Sequence, residues 1–443
     1  MKPIFEDLDN DRQLNFSGTR DMLPKVCGFI LLILLLTTSG CLFSFPFKQE
    51  LRDSKHISNF MLDGNYLYFG GGYHLYRLDL SSRSIETIFT PDRILVEQPI
   101  VADGMAYFGG LSYVDQKMNR GEKQGLIAVN LQTRQVQWKF PLGVGGYGTY
   151  GTFPVLAGDN IIVCARQHLH SLDRKTGKEI WNLDNWFGRT TDATNIPYVH
   201  RDHVYFKINE EYFTKNFAFD GHWAKVALNS GQRVAILRIA ETPGKYHDVS
   251  GDGVGELVDG VVYGALRYDR EDYPSSRFGA LELESQKKLW EVRGSSLRTK
   301  PAVNDKFVYT IIDGSINSLE RKTGRVVWSE PLGEIAATDL DYSRERWKWE
   351  HENKRSRRFA ATNETVVVQG SKGIVARRAD NGKLLWLVKT ELDEGTTDPL
   401  IVQQTVVAVS LPDCSIFAVD LKDGRELWRV KVPDCTYFYI FDD

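Results

Sequence analysis

The segment DVSGDGVGE carries the side chains in this sequence that are best suited to bind a metal ion. Oxygen ligands recur at alternate positions: Asp248, Ser250 and Asp252 offer side-chain oxygens, Val254 a backbone carbonyl and Glu256 a carboxylate. Calcium prefers such hard oxygen ligands on a loop that turns sharply at a glycine. The segment is typical either of an ordinary Asp-Gly turn or of a structural calcium site that would stiffen a loop.

Motifs typical of catalytic sites are otherwise missing from the sequence. The nine histidines are scattered, and no H-E-x-x-H, G-x-S-x-G or C-x-x-C motif occurs. The segment GYGTYG at 146–151 matches G-x-G-x-x-G, but a strand-turn-strand pattern follows it. A phosphate site would need a helix there, because the helix N-terminus supplies the amide donors. The sequence predicts no catalytic residue and no cofactor other than structural calcium.

An apolar run, VCGFILLILLLTTS at 26–39, stands before Cys41. The run is short for a membrane span and ends in small residues, as secretory signal peptides do. TTSGC resembles a bacterial lipoprotein cleavage site, so we expect residues 1–40 to be removed, Cys41 to be lipidated and residues 41–56 to form a tether. An uncleaved membrane anchor is the alternative. A start at Met22 would give the signal a short basic segment in place of an acidic one.

Two phrases, DRKTGKEIW at 173–181 and ERKTGRVVW at 320–328, show that the chain is built from repeats. Related copies place six tryptophans at one position of the repeat: Trp138, Trp181, Trp290, Trp328, Trp386 and Trp428. Two degenerate copies end near Ile88 and Ala235. A polar turn between two runs rich in β-branched and aromatic residues precedes each copy. The repeat length predicts four-stranded units, and hence an all-β chain, an eight-bladed β-propeller of four-stranded antiparallel blades over residues 57–443.

The repeated phrase has a mechanical interpretation. We label the four strands of each unit A to D in chain order. Strand C ends on an acid that can cap the turn amides, and the glycine that follows can take a positive φ. The glycines in question are Gly177, Gly324, Gly382 and Gly424. Each tryptophan would pack on the next unit and bury roughly 150–250 Å². We interpret the tryptophans as structural anchors between blades and not as a cofactor site.

Two cysteines flank the last pair of strands. Cys414 precedes strand C of the final unit and Cys435 follows strand D. Antiparallel strands bring those two ends together, so a disulfide is geometrically allowed in an exported protein. Two free, buried thiols are the alternative, and Cys164 is expected in the core of a strand.

Insertions are concentrated in the B–C loops and the D–A connectors, which lie on one face of a propeller. Long loops on a rigid scaffold usually carry binding, so this face is the expected interaction surface. The longest insertion, 331–358, ends in the basic run 354–358, which would suit an acidic partner or lipid headgroups. A solvated loop of mixed charge is the alternative.

The repeat resembles the tryptophan-docking repeat of the pyrroloquinoline-quinone-type β-propellers over about residues 57–432. That family includes quinoprotein dehydrogenases and BamB-type outer-membrane assembly lipoproteins, so the resemblance indicates the fold more strongly than the activity. WEVRGSS at 290–296 is similar to the connector with which BamB-type proteins hold the central assembly subunit. The resemblance therefore implies that Arg293 and Gly294 contact the protein partner.

The resemblance also implies a function: a lipid-anchored periplasmic scaffold for protein-protein interaction in the assembly of outer-membrane β-barrel proteins. A lineage-specific lipoprotein that binds another ligand or partner is the alternative. A dehydrogenase dependent on pyrroloquinoline quinone is disfavoured, because the chain has no adjacent cysteine pair to stack on the quinone. The net charge of −3 and the pI near 6.3 give no reason to expect nucleic acid as a partner.

Overall fold

The computed structural model describes residues 51–440, with gaps at 56, 92–93, 97, 113–122, 145–153, 166–167, 184–196, 210–220, 239–254, 269–275, 286, 295–299, 336–358, 371, 391 and 393–396. The chain divides into two compact units. One consists of residues 53–439 and the other of residues 1–52 and 440–443. Within this second unit only residues 51–52 and 440 are described.

The larger unit contains eight sheets, each with four consecutive antiparallel strands, which we number as blades 1 to 8. Blade 1 contains β2 (Met61–Asp63), β3 (Tyr66–Gly71), β4 (His74–Asp79) and β5 (Ile85–Phe89). Blade 2 contains β7 (Ile100–Ala102), β8 (Met105–Ser112), β9 (Lys123–Asn130) and β10 (Val136–Val144), and β6 (Ile94–Val96) pairs with the far end of β8. Blade 3 contains β11 (Val155–Ala157), β12 (Asn160–Ala165), β13 (His168–Asp173) and β14 (Glu179–Leu183). Blade 4 contains β15 (Tyr198–His200), β16 (His203–Asn209), β17 (Gly221–Ala227) and β18 (Arg233–Arg238).

The remaining blades repeat this order. Blade 5 contains β19 (Glu256–Val258), β20 (Val261–Tyr268), β21 (Ser276–Glu282) and β22 (Lys287–Arg293). Blade 6 contains β23 (Ala302–Val303), β24 (Phe307–Ile312), β25 (Ser315–Glu320) and β26 (Val326–Pro331), followed by a 3-10 turn, Gly333–Ile335. Blade 7 contains β27 (Phe359–Ala361), β28 (Thr365–Gly370), β29 (Gly373–Arg378) and β30 (Leu384–Lys389). Blade 8 contains β31 (Leu400–Val402), β32 (Thr405–Ser410), β33 (Ser415–Asp420) and β34 (Glu426–Lys431). Outside the blades, β1 (Leu51–Lys55) pairs with β35 (Thr436–Ile440).

The inner strands are buried on both faces because a neighbouring blade covers each side. Every residue of β28 is buried, and its sequence, TVVVQG, has three consecutive valines at its centre. Outer strands such as β34 alternate between exposed and partly buried residues. The contrast matches what a short buried strand and a half-buried strand require of their sequences.

Neighbouring blades share hydrophobic clusters all the way round the series. One of these clusters joins blade 8 to blade 1, through residues such as Val407 and Leu67. The eight sheets therefore close into a ring, which confirms the predicted eight-bladed propeller. In the part of the chain that the structure describes, no helix is long and apolar enough to span a membrane.

Candidate functional site

Five tryptophans each join their own blade to the next blade along the chain. In every case the indole Nε1 donates to a backbone carbonyl in the C–D turn of the following blade, which we call its corner. The pairs are Trp138 with Arg174 (3.1 Å), Trp181 with Leu228 (2.7 Å), Trp290 with Arg321 (2.9 Å), Trp328 with Ala379 (2.9 Å) and Trp386 with Leu421 (2.8 Å). These contacts give the predicted anchors a definite partner.

A glycine in the same corner lies beneath each of these indoles. A Cβ atom added to it would come within 3 Å of the ring, at Gly177, Gly231, Gly324, Gly382 and Gly424. The corner of blade 2, which receives no tryptophan, carries Arg134 in place of glycine. Each glycine is therefore needed both for the turn and to make room for the tryptophan of the preceding blade. The glycine and its tryptophan lie one repeat apart in the sequence, and the sequence analysis did not connect them.

Each tryptophan also requires a small residue beside it on strand C. Its Cα partners across the ladder are all alanine or serine: Ala128, Ser171, Ala280, Ser318, Ala376 and, for Trp428, Ala418. Trp428 itself packs, partly buried, on the cluster shared by blades 8 and 1. Its receiving corner carries Arg83 in place of glycine.

The two near-identical segments, 173–181 and 320–328, make the same contacts at their corners. Asp173 accepts hydrogen bonds from the amide and the hydroxyl of Thr176, and these bonds lower the pKa of its carboxyl. Arg174 reaches back to Asp103 in the preceding blade, with 2.6 Å between Nη2 and Oδ2. In the second phrase Arg321 reaches Asp259 at the same distance. Each of these two corners therefore accepts the hydrogen bond of the indole, places a glycine against the indole ring and forms an ion pair with the previous blade.

The junction between blades 1 and 2 replaces the tryptophan with an ion pair. Glu86 pairs with Arg77 in its own blade and with Arg134 at the corner of blade 2. Although burial opposes the shift, hydrogen bonds from both arginines lower the pKa of Glu86. Ile88 is buried in the cluster between the two blades, so it supplies the apolar contact there.

Blades 8 and 1 are held by the segment that follows β34. Cys414 and Cys435 form a disulfide, with their Cα atoms 6.1 Å apart. Next to Cys435, the carbonyl of Asp434 accepts a hydrogen bond of 2.9 Å from Tyr76 of blade 1. Burial raises the pKa of Tyr76 to about 12, so its hydroxyl stays protonated and can donate. The disulfide therefore fixes to blade 8 the segment that contacts blade 1.

The expected partner-contact residues lie at the end of the outer strand of blade 5. Arg293 is exposed and closes β22, and Gly294 follows with a φ of 151°. A Cβ atom on Gly294 would lie 2.2 Å from Ile312 Cγ2 and 3.0 Å from Asp313 Oδ2. The connector thus rests on the B–C turn of blade 6, and this support holds Arg293 at the loop-bearing face.

The described residues leave out four of the five predicted calcium ligands: Asp248, Ser250, Asp252 and Val254. Glu256 is described, and its carboxylate lies 2.5 Å from the ammonium group of Lys300. The described residues contain no group of three or more acidic, histidine or cysteine side chains placed to hold a metal. The calcium site, Cys41 and the basic run 354–358 stay predictions.

The family of the chain is decided by comparison with known proteins. A family model described as outer membrane protein assembly factor BamB matches residues 96–330 and 332–437, which span blades 2 to 8. The chain belongs to this family. A comparison with curated proteins gave no match.

Solved structures share the fold at low sequence identity. BamB from Moraxella catarrhalis is 14% identical, with a TM-score of 0.54 over 85% of this chain and 97% of that one. A europium-containing methanol dehydrogenase is 13% identical, with a TM-score of 0.51 over 76% and 78%. A computationally designed protein, Ika8, is 11% identical, with a TM-score of 0.52 over 87% and 98%. The likeness to these structures shows the fold alone, because one fold can carry unrelated functions.

Proposed function

We propose that this BamB-family propeller is a lipid-anchored scaffold on the periplasmic side of the outer membrane, where it binds a protein of the machinery that assembles β-barrel proteins. The observation that carries the proposal is the family match across blades 2 to 8. The lipid anchor at Cys41 would keep the scaffold at the membrane surface. The chain acts by binding and not by catalysis, since its sequence has no adjacent cysteine pair and no catalytic motif.

The contact with the partner is proposed at Arg293. This arginine is exposed on the face that carries the long insertions, and the described part of the chain places no carboxylate in an ion pair with it. Nearby, Glu291 is engaged by Arg277 and by Lys288, with 3.0 Å to Lys288 Nζ. The local surface therefore favours an acidic group on the partner. If Arg293 forms a desolvated charge pair with the partner, removing one member of the pair should weaken the binding of the two proteins by about 2–5 kcal/mol.

Charge reversal at two arginines tests the proposal. Arg293→Glu should leave the melting temperature unchanged and weaken co-purification with the central barrel-assembly subunit from detergent-solubilised membranes. Arg425→Glu is the matched control, because Arg425 is exposed at a corner on the opposite face. A wild-type chain that brings down no such subunit would refute the assembly role and leave the lineage-specific binding lipoprotein. Equal binding by both variants would refute the contact face alone.

A further inference from the structure

Strands β1 and β35 form a ribbon that lies outside the eight blades. They pair with each other, and among the described residues neither of them pairs with a strand of a blade. We call this pair the terminal ribbon. Its residues 53–55 and 436–439 belong to the same compact unit as the blades. The terminal ribbon is therefore an addition to the ring and not part of a blade.

The base of the terminal ribbon is fixed at the junction of blades 8 and 1. Ile57, two residues after β1, and Cys435, next to β35, are both buried in the cluster that these two blades share. A Cβ atom added to Gly72, in the B–C turn of blade 1, would lie 2.5 Å from the carbonyl oxygen of Thr436. The B–C turns lie on the loop-bearing face, so the ribbon starts on the same face as Arg293.

The sequence of β35 lacks the alternation that is typical of a strand with one face in water. Residues 437–440 are Tyr, Phe, Tyr and Ile without a polar interruption, and Phe441 follows. A half-exposed strand alternates apolar and polar residues, because successive side chains point to opposite faces. A ribbon outside the blades can rest on the ring with one face at most. The other face of β35 therefore requires a different cover.

The segment before β1 indicates what this cover is. Ten residues lead from Cys41, the expected lipidation site, to Leu51, and a fully extended chain of that length spans at most about 36 Å. This reach is shorter than the thickness of a bilayer with its headgroups, about 40–45 Å. A lipid on Cys41 therefore keeps the terminal ribbon beside the membrane surface. Aromatic residues such as tyrosine are enriched at that level of a membrane, where the ring is buried and the hydroxyl stays hydrated.

We propose that β35 binds the interfacial region of the bilayer next to the lipid anchor, with its aromatic residues at the level of the lipid headgroups. The inference rests on the proposed function, since it needs the anchor that this function assigns to Cys41. The anchor makes the second contact intramolecular, so a few aromatic residues suffice although they would bind weakly alone. The contact also orients the ring. The loop-bearing face near blades 8 and 1 lies towards the membrane that holds the partner of Arg293.

Photolabelling from the lipid tests the contact. The purified full-length chain is reconstituted into vesicles of phosphatidylethanolamine and phosphatidylglycerol that contain a phospholipid with a diazirine close to its headgroup. After irradiation and reduction, trypsin should release two labelled peptides, residues 41–48 with the anchor and residues 432–443 with β35. The matched control is the peptide 384–389 from the outer strand of blade 7. Its Leu384 and Leu385 are 49% and 41% exposed, yet it should stay unlabelled.

Two variants show whether the aromatic residues make the contact. Tyr437→Ser/Phe438→Ser/Tyr439→Ser should lose the label on residues 432–443 and keep it on residues 41–48. Tyr437→Trp/Tyr439→Trp should keep both labels, because tryptophan favours the same level of the membrane. The melting temperature of each variant shows that the ring is intact.

The outcomes separate this contact from the anchor itself. Label on residues 41–48 alone would overturn the contact, leave the lipid anchor in place and point to a protein partner or a second copy as the cover of β35. Label on neither peptide would remove the anchor, and with it both the proposed location and this inference. Equal label on residues 384–389 and 432–443 would show contact without preference and would overturn the inference as well. Label on residues 432–443 that depends on their aromatic side chains supports it.

Discussion

The indole of Trp328 lies against Gly382 of the next blade, so closely that a Cβ atom on Gly382 would fall 2.8 Å from Cδ2 of the ring. The same glycine has a φ of 72°, a value that residues with a side chain avoid. The tryptophan of one blade and the glycine of the next therefore have to be understood as one pair.

We expect Gly382→Ala to lower the free energy of unfolding by more than strain alone would. Left-handed backbone strain accounts for about 1–2 kcal/mol. Gly314→Ala is the control for strain, since Gly314 has the same φ of 72° and no atom within 4 Å of an added Cβ. Trp328→Ala should lose about 3–5 kcal/mol. Chemical denaturation of the double variant should show a smaller total than the sum of the single losses, and simple additivity would contradict the pairing.

Reduction of the disulfide between Cys414 and Cys435 should destabilise the propeller by about 3 kcal/mol, because the bond closes a loop of 21 residues. Hydrogen exchange should then rise around Tyr76 and Asp434, where the closing segment meets blade 1. Cys414→Ser/Cys435→Ser should show the same loss without reductant and no further change with it. Equal stability of the reduced and oxidised protein would show that the segment holds blade 1 unaided.

The thiol of Cys164, a partly buried residue of β12, should react slowly in the folded protein. Desolvation raises its pKa to about 12, whereas an unfolded cysteine titrates near about 8.5. The unfolded chain therefore binds fewer protons above the lower value, so this group's contribution to stability is lost as pH rises from about 8.5 towards 12. Unfolding curves of the wild type and Cys164→Ala between those pH values should isolate the effect. A thiol reagent that modifies native Cys164 quickly at pH near 8 would contradict it.

Lipidation is expected at Cys41. Cys41→Ser should abolish labelling by a fatty-acid analogue and move the protein to the soluble periplasmic fraction. Membrane residence of the unlabelled variant would favour the uncleaved anchor.

The calcium site predicted at 248–256 should raise the melting temperature when calcium is added and lower it when a chelator is added. Asp252→Asn should remove this dependence, because it takes away one carboxylate ligand. Asp259→Asn, in the neighbouring A–B turn, should keep it. A chelator without effect on the wild type would leave the Asp-Gly turn as the correct interpretation.

The sequence was sufficient for the fold because the repeat marks every blade with the same acid, turn and outer strand. It was insufficient for the junctions, because the partner of each tryptophan lies in the next repeat. Periodicity shows that Gly382 recurs, but only the neighbouring indole explains why it must be glycine.

The degenerate blades were harder to interpret than the regular ones. In blade 4 a small residue, Ala235, stands at the tryptophan position, and nothing in the repeat indicated that Lys225 pairs with it across the ladder. In blade 1 the irregularity in strand pairing falls between Leu75 and Tyr76, so the chain presents Ile88 to blade 2. Strand register is a property of two segments together, and a single degenerate repeat does not determine it.

Every blade of this ring consists of strands that are consecutive in the chain. Seven junctions join blades that follow one another in sequence, so each can form as soon as its second blade exists. The eighth joins Tyr76 to Asp434, which are 358 residues apart. Closing that loop costs more conformational entropy than forming a junction between blades that are consecutive in the chain. Blades 1 and 8 therefore each present to the other a face that no neighbour in sequence covers, and the cluster between them closes the ring.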